Sequence, residues 1–148
     1  MKTALLTIAT ALLLLAAPAM AQFSMVPAPL AEGAPVVSEA ETTQDYKKDF
    51  ARHIYKSYPM RIYRGKLPPL LYSVMMTETQ IDAQGVVIDV SIRRPPAAKE
   101  VAPWVVQLIK RAGPFPAPAK MGLSTISEIW LVDKSGNFQL DTLTEGQR

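Results

Sequence analysis

The chain has 148 residues, no cysteine, a formal net charge of +3 and 49% hydrophobic residues. The missing cysteines exclude a disulfide framework and any thiolate metal site, so a hydrophobic core must carry the stability. A charge this small and scattered also excludes the basic, aromatic-lined stripe that nucleic-acid binding needs.

The chain opens with Lys2, an unbroken apolar and small run from Ala4 to Ala17, and Ala19-Met20-Ala21. A positive start, an apolar core and an A-x-A site are the marks of a secretory signal, here cleaved after Ala21 to leave Gln22 first. The run falls short of the roughly 20 residues that span a bilayer comfortably. An uncleaved anchor is the competing reading, because no charge appears between Lys2 and Glu32. The chain thus divides into a signal over 1–21, a flexible Pro/Ala-rich leader over 22–42, one folded domain over 43–143 and a frayed polar tail over 144–148. Pro27, Pro29 and Pro35 deny the leader a regular period.

From Thr43 the pattern changes. Tyr46, Phe50, Ile54 and Tyr58 recur every four residues and predict a helix with one apolar stripe. Thr42 or Thr43 can cap it, Asp45 suits its first turn, and Pro59 ends it. Pro68 and Pro69 then force an extended entry to a strand over Leu71 to Ile81. Asp82-Ala83-Gln84-Gly85 reads as a tight turn, followed by a half-buried strand in which Val86, Ile88, Val90 and Ile92 alternate with Val87, Asp89 and Ser91. After Pro95 and Pro96, a second helix puts Val101, Trp104, Val105, Leu108, Ile109 and Ala112 on one broad face. Pro103 is tolerated in its first turn, and Gly113 is a suitable C′ residue. The Pro114-Phe115-Pro116 elbow leads to a third strand over Ser124 to Val132, a Lys134-Ser135-Gly136-Asn137 turn and a short fourth strand over Phe138 to Leu143. The expected fold class is α+β: an N-terminal helix, then β-β-α-β-β, with a helix packed on an antiparallel sheet.

Catalytic machinery is not legible. His53 is the only histidine and has no second ligand, so a structural or surface role outweighs metal binding. The serines lack a nucleophile elbow, and no phosphate loop, dinucleotide fingerprint or calcium loop is present. Glu78 and Glu128 are conceivable as a carboxylate pair across the sheet, but solvent-face charges are the better expectation. Met75 and Met76 point to opposite faces of a strand and cannot share a soft metal. Trp104 and Trp130 belong to core-facing stripes. The chain is therefore expected to be neither an enzyme nor a cofactor carrier.

A helix ending at Tyr58-Pro59, the hairpin I-D-A-Q-G-V-V-I-D-V-S-I, the elbow A-G-P-F-P-A-P and a following strand appear in that order. Together, over roughly Tyr58 to Val132, they resemble the TonB C-terminal domain family, and the related TolA C-terminal domain shares the architecture. The resemblance implies a periplasmic, non-catalytic module. Its edge strand would pair with an extended segment of an envelope partner, such as a TonB-dependent outer-membrane receptor. By position, the implied edge comprises Leu131, Val132, Phe138, Gln139 and Leu140, bordered by Tyr58 and Pro59. A homodimer is compatible with this reading, no nucleic acid is expected, and no stable membrane span remains once the signal is cleaved.

The chain departs from energy-transducing members of that family, which keep an anchor with a membrane histidine and a long Pro-rich spacer. Here no histidine precedes His53 and the leader is short. A stand-alone member follows. The alternative function is a periplasmic small-ligand carrier or sensor, using an apolar pocket lined by Trp104, Met75 and Trp130.

Overall fold

The structure, a computed structural model, describes residues 19–30 and 36–148; the apolar stretch read as a signal lies, up to residue 18, outside them. Helix α1 spans Thr43–Ser57. Thr42 caps it, its hydroxyl oxygen accepting the Asp45 N–H at 3.2 Å. The four-residue stripe is buried as expected, and Tyr58 closes the helix just before Pro59 opens a 3-10 turn over Pro59–Arg61.

Strand β1 (Ser73–Ile81) and strand β2 (Val87–Arg94) form the expected antiparallel hairpin. In its turn, the Asp82 carboxylate accepts the N–H groups of Gln84 and Val86, both at 2.9 Å. Helix α2 runs over Val101–Ala112, strand β3 over Ser124–Val132 and strand β4 over Phe138–Leu140, followed by a 3-10 turn over Asp141–Leu143. The sheet order is β2-β1-β3-β4 with antiparallel neighbours throughout. Strands β2 and β3 therefore flank β1, and α2 crosses between them as a split β-α-β unit.

Both helices cover one face of this α+β sheet. The residues β1 and β3 turn toward them include Met75, Ile81, Ile126, Trp130 and Val132, which share a single core with Tyr46, Phe50, Trp104 and Leu108. Burying one such large side chain contributes about 2 kcal/mol. Met75 lies in that core while Met76 sits on the opposite, half-buried face, as adjacent strand residues must.

The elbow joins the hairpin to the helices. Phe115 stacks on Phe50 at 4.6 Å between ring centres and lies 4.8 Å from the His53 ring. Its backbone N–H donates to Gly85 O at 2.8 Å, and the Tyr46 hydroxyl donates to Pro116 O at 2.7 Å. Gly113 ends α2 in an extended conformation and does not adopt the left-handed form its position invites; a cis bond to Pro114 follows it. The last carbonyl of α2, Ala112 O, accepts from His53 Nε2 at 2.7 Å. Burial holds this imidazole below its usual range.

Two expectations about the ends are corrected. The described part of the leader is not a free tether. Phe23 is buried, stacks on Tyr72 and meets Trp104 edge-on, while Leu30 N–H donates to Ser57 O and Ser38 N–H to Ala117 O. The tail is not frayed either, because Leu67 pairs with it: Leu67 N–H donates to Gly146 O at 2.8 Å and Arg148 N–H to Leu67 O at 3.0 Å. Aromatic burial at one end and backbone pairing at the other offset the entropy that keeps most termini loose.

Gly85 tests the joint between hairpin and elbow. It has φ +87°, and a Cβ there would stand 2.0 Å from Phe115 O. Gly85→Ala should cost more than about 3 kcal/mol in urea unfolding, combining left-handed strain with a backbone collision. Gly65→Ala, at φ +79° with nothing within 4 Å, should cost only about 1 kcal/mol.

Candidate functional site

The edge anticipated from the sequence is not an edge. Leu131 is opposite Val74 on one side and Gln139 on the other; Val132 is likewise held between Ser73 and Phe138. Strand β4 covers β3, and β4 is itself covered. Tyr63 N–H donates to Phe138 O at 2.9 Å, next to a parallel bridge between Ile62 and Phe138.

Gln139 fastens this cover. Its Nε2 donates to Tyr63 O at 2.9 Å and Gly65 O at 2.7 Å, and its Oε1 accepts from Thr144 Oγ1 and Glu145 N–H. Leu140 N–H donates to the Tyr55 hydroxyl at 3.1 Å. Tyr58 is buried, its hydroxyl donates to Leu108 O at 2.7 Å, and burial pushes its pKa up to about 12. Pro59 is half-buried at the start of its turn. The seven expected residues are interior or supporting groups, which corrects their assignment to a binding edge.

Among the described residues the open edge is β2, whose one strand neighbour is β1. Its alternation does not follow the expected faces. The register skips Ile88 between the pairs Gln80–Asp89 and Ile81–Val87, and skips Arg93 between Thr77–Ile92 and Met76–Arg94. The bulge at Ile88 turns Val87 toward the core on the side of Val90, while Val86, Ile88 and Ile92 are exposed at 48%, 57% and 41%. Beside the edge lies a cleft of about 490 Å³ lined by Val86, Val87, Ile88, Asp89, Lys110, Gly113 and Pro114. An outer strand edge bordered by exposed aliphatics offers backbone hydrogen bonds and an apolar seat together.

Sequence reasoning missed these residues because strict alternation in a half-buried strand puts Val86, Ile88, Val90 and Ile92 together on one face. A signal was available in the order of elements. A crossover helix after the second hairpin strand returns the chain on the far side of the first, leaving that second strand outermost.

Glu128 is the one fully buried charged side chain among the described residues. It faces the helices, whereas Glu78 lies opposite Ser127 on the other face, so the two carboxylates do not meet and Glu128 is not a solvent-face charge. Its oxygens accept from Ile129 N–H at 3.0 Å and Thr142 Oγ1 at 2.6 Å, and Lys47 Nζ is 3.9 Å away. With no solvent access it offers a substrate nothing; it ties the turn after β4 to the sheet. Trp104, Met75 and Trp130 are buried with at most 1% exposure and packed on other side chains, Trp130 donating to Thr77 Oγ1. The side chains expected to line a ligand pocket are therefore core, and the cleft beside β2 is lined by none of them.

Among the described residues, no group of three or more His, Cys, Asp or Glu side chains gathers into a metal site, and no helix is long and apolar enough to cross a membrane. Comparison of the chain with protein-family models, curated proteins and solved structures finds no match.

Burial raises the Glu128 pKa above its ordinary 4.5 despite the opposing hydrogen bonds and Lys47. The folded state thus holds this proton more tightly than the unfolded chain. Its stabilising contribution is full below pH 4.5 and is lost as pH rises through the folded value. Urea titrations of Glu128→Gln should lose less stability between pH 4.5 and neutrality than the unsubstituted protein. An unchanged pH slope would remove Glu128 as the titrating group.

Proposed function

We propose that the protein is a non-catalytic, periplasmic protein-binding module that pairs an extended segment of an envelope partner with its β2 edge. The partner class, an outer-membrane receptor, rests on the resemblance of the hairpin and elbow to the TonB C-terminal domain. The observation that supports the reading best is the outer edge of β2, which no described strand covers, with exposed Ile88 beside a cleft formed with Lys110, Gly113 and Pro114. Backbone pairing supplies affinity without side-chain specificity, and the cleft would select one apolar residue of the added strand. The edge lies on β2 and not on β3 or β4, because Gln139 and the chain from Ile62 to Gly65 already occupy β4.

Synthetic peptides copying periplasm-facing segments of outer-membrane receptors from the same cell, titrated into the ¹⁵N-labelled protein, should shift amide resonances over Val87–Arg94. Ile88→Lys, at an exposed position, should leave the fold intact and weaken such a peptide about tenfold, a loss of about 1.4 kcal/mol. Shifts confined to Phe138–Leu140, or no binding by any such peptide to folded protein, would overturn the proposal.

A further inference from the structure

Strand β2 is its own complement. An antiparallel pair related by a two-fold axis normal to the sheet keeps both molecules' helices on one side. Directly opposed side chains share a face, so the axis must pass through a residue of the strand and not between two. Centred on Ser91, the pairing sets Asp89 against the partner's Arg93 and Val90 against the partner's Ile92, each twice.

The faces agree with this register. Asp89 lies opposite Gln80 and Ser91 opposite Glu78, both on the face away from the helices. Arg93, although at a bulge, is held on that same face by Glu78, with Nε 3.5 Å from the carboxylate. Val90 already packs on the core, and Ile92 is 41% exposed on the helix side. Moving the axis to Val90 puts Asp89 against Ser91 and leaves both charges unmatched. Moving it to Ile92 sets Val90 against Arg94.

We infer that the β2 edge also pairs with a second copy of this chain, in antiparallel two-fold register on Ser91, forming a dimer with one continuous eight-stranded sheet. Two reciprocal Asp89–Arg93 ion pairs fix the register, and two Val90–Ile92 contacts extend the apolar layer across the axis. Opposite charges directly across a strand pair stabilise it, and like charges destabilise it. This inference does not require the receptor reading, since the second copy is its own partner.

The experiment is sedimentation equilibrium of the intact chain at rising concentration. The unsubstituted protein should dimerise. Asp89→Arg and Arg93→Asp, each of which sets like charges in opposition, should weaken self-association at least about tenfold. An equimolar mixture of the two variants should form a heterodimer, because position 89 of each then meets a complementary charge at position 93 of the other. Arg93→Asp removes the contact with Glu78; if that variant does not fold, Asp89→Arg alone, which leaves that contact in place, carries the test and should stay monomeric where the unsubstituted protein dimerises.

Protein that stays monomeric throughout, a dimer indifferent to Asp89→Arg, or variants that complementation does not rescue would each overturn the register. Peptide binding is scored separately, on the unsubstituted protein diluted to where it is monomeric. Its presence keeps the receptor reading alive when self-pairing fails, and its absence counts against that reading alone.

Discussion

The contact on which this structure depends is the one between the hairpin turn and the proline elbow. Phe115 donates its backbone N–H to Gly85 O while its ring packs against Phe50 and His53. One residue thereby joins the β1–β2 turn, helix α1 and the end of α2, segments distant in sequence. The prolines on either side leave the elbow few alternative conformations, so little entropy is lost when it docks. His53 completes the joint by donating to the last carbonyl of α2, the end that Gly113 does not cap in the usual left-handed form. The position of α2 over the sheet, and with it the cleft beside β2, follows from this contact.

The core is unevenly polar. Toward the elbow it is aromatic and aliphatic; toward β4 it holds Thr77, Glu128 and Gln139 among Trp130, Phe138 and Leu140. Buried polar groups are tolerable when hydrogen-bonded, and these are: Thr77 by Trp130, Glu128 by Thr142, Gln139 by four partners. Ser73 Oγ and Thr79 Oγ1 are buried without a partner, and we have no physical account of either. Glu128 and Gln139 attach the chain after β4, and Gln139 also holds the loop before β1.

The elements were legible in the sequence because each carries its own punctuation. Thr42 and Pro59 bound α1, Asp82 and Gly85 bound the hairpin turn, and Gly113 with Pro114 bound α2. What escaped were consequences of pairing. A period-two reading of Val86 to Ile92 cannot anticipate bulges at Ile88 and Arg93, which exchange the faces of the strand's ends. Glu128 looked like a surface charge because its partners, Lys47 and Thr142, lie far from it in sequence. Phe23 looked like part of a flexible leader because the stacking ring that receives it, Tyr72, is also distant in sequence. Tyr58 and the β3–β4 pair were placed at an edge by likeness of order, and order alone does not say which edge is covered.

The cover over β4 has a consequence for assembly. A sheet open at both ends can add subunits without limit, and long uncovered edges are how β proteins come to form fibres. Here one end is closed by the protein's own chain through Ile62, Tyr63 and Gln139. Each molecule is left with a valence of one, so strand addition at β2 terminates growth and does not propagate it. Any two strands that use that edge must also exclude each other.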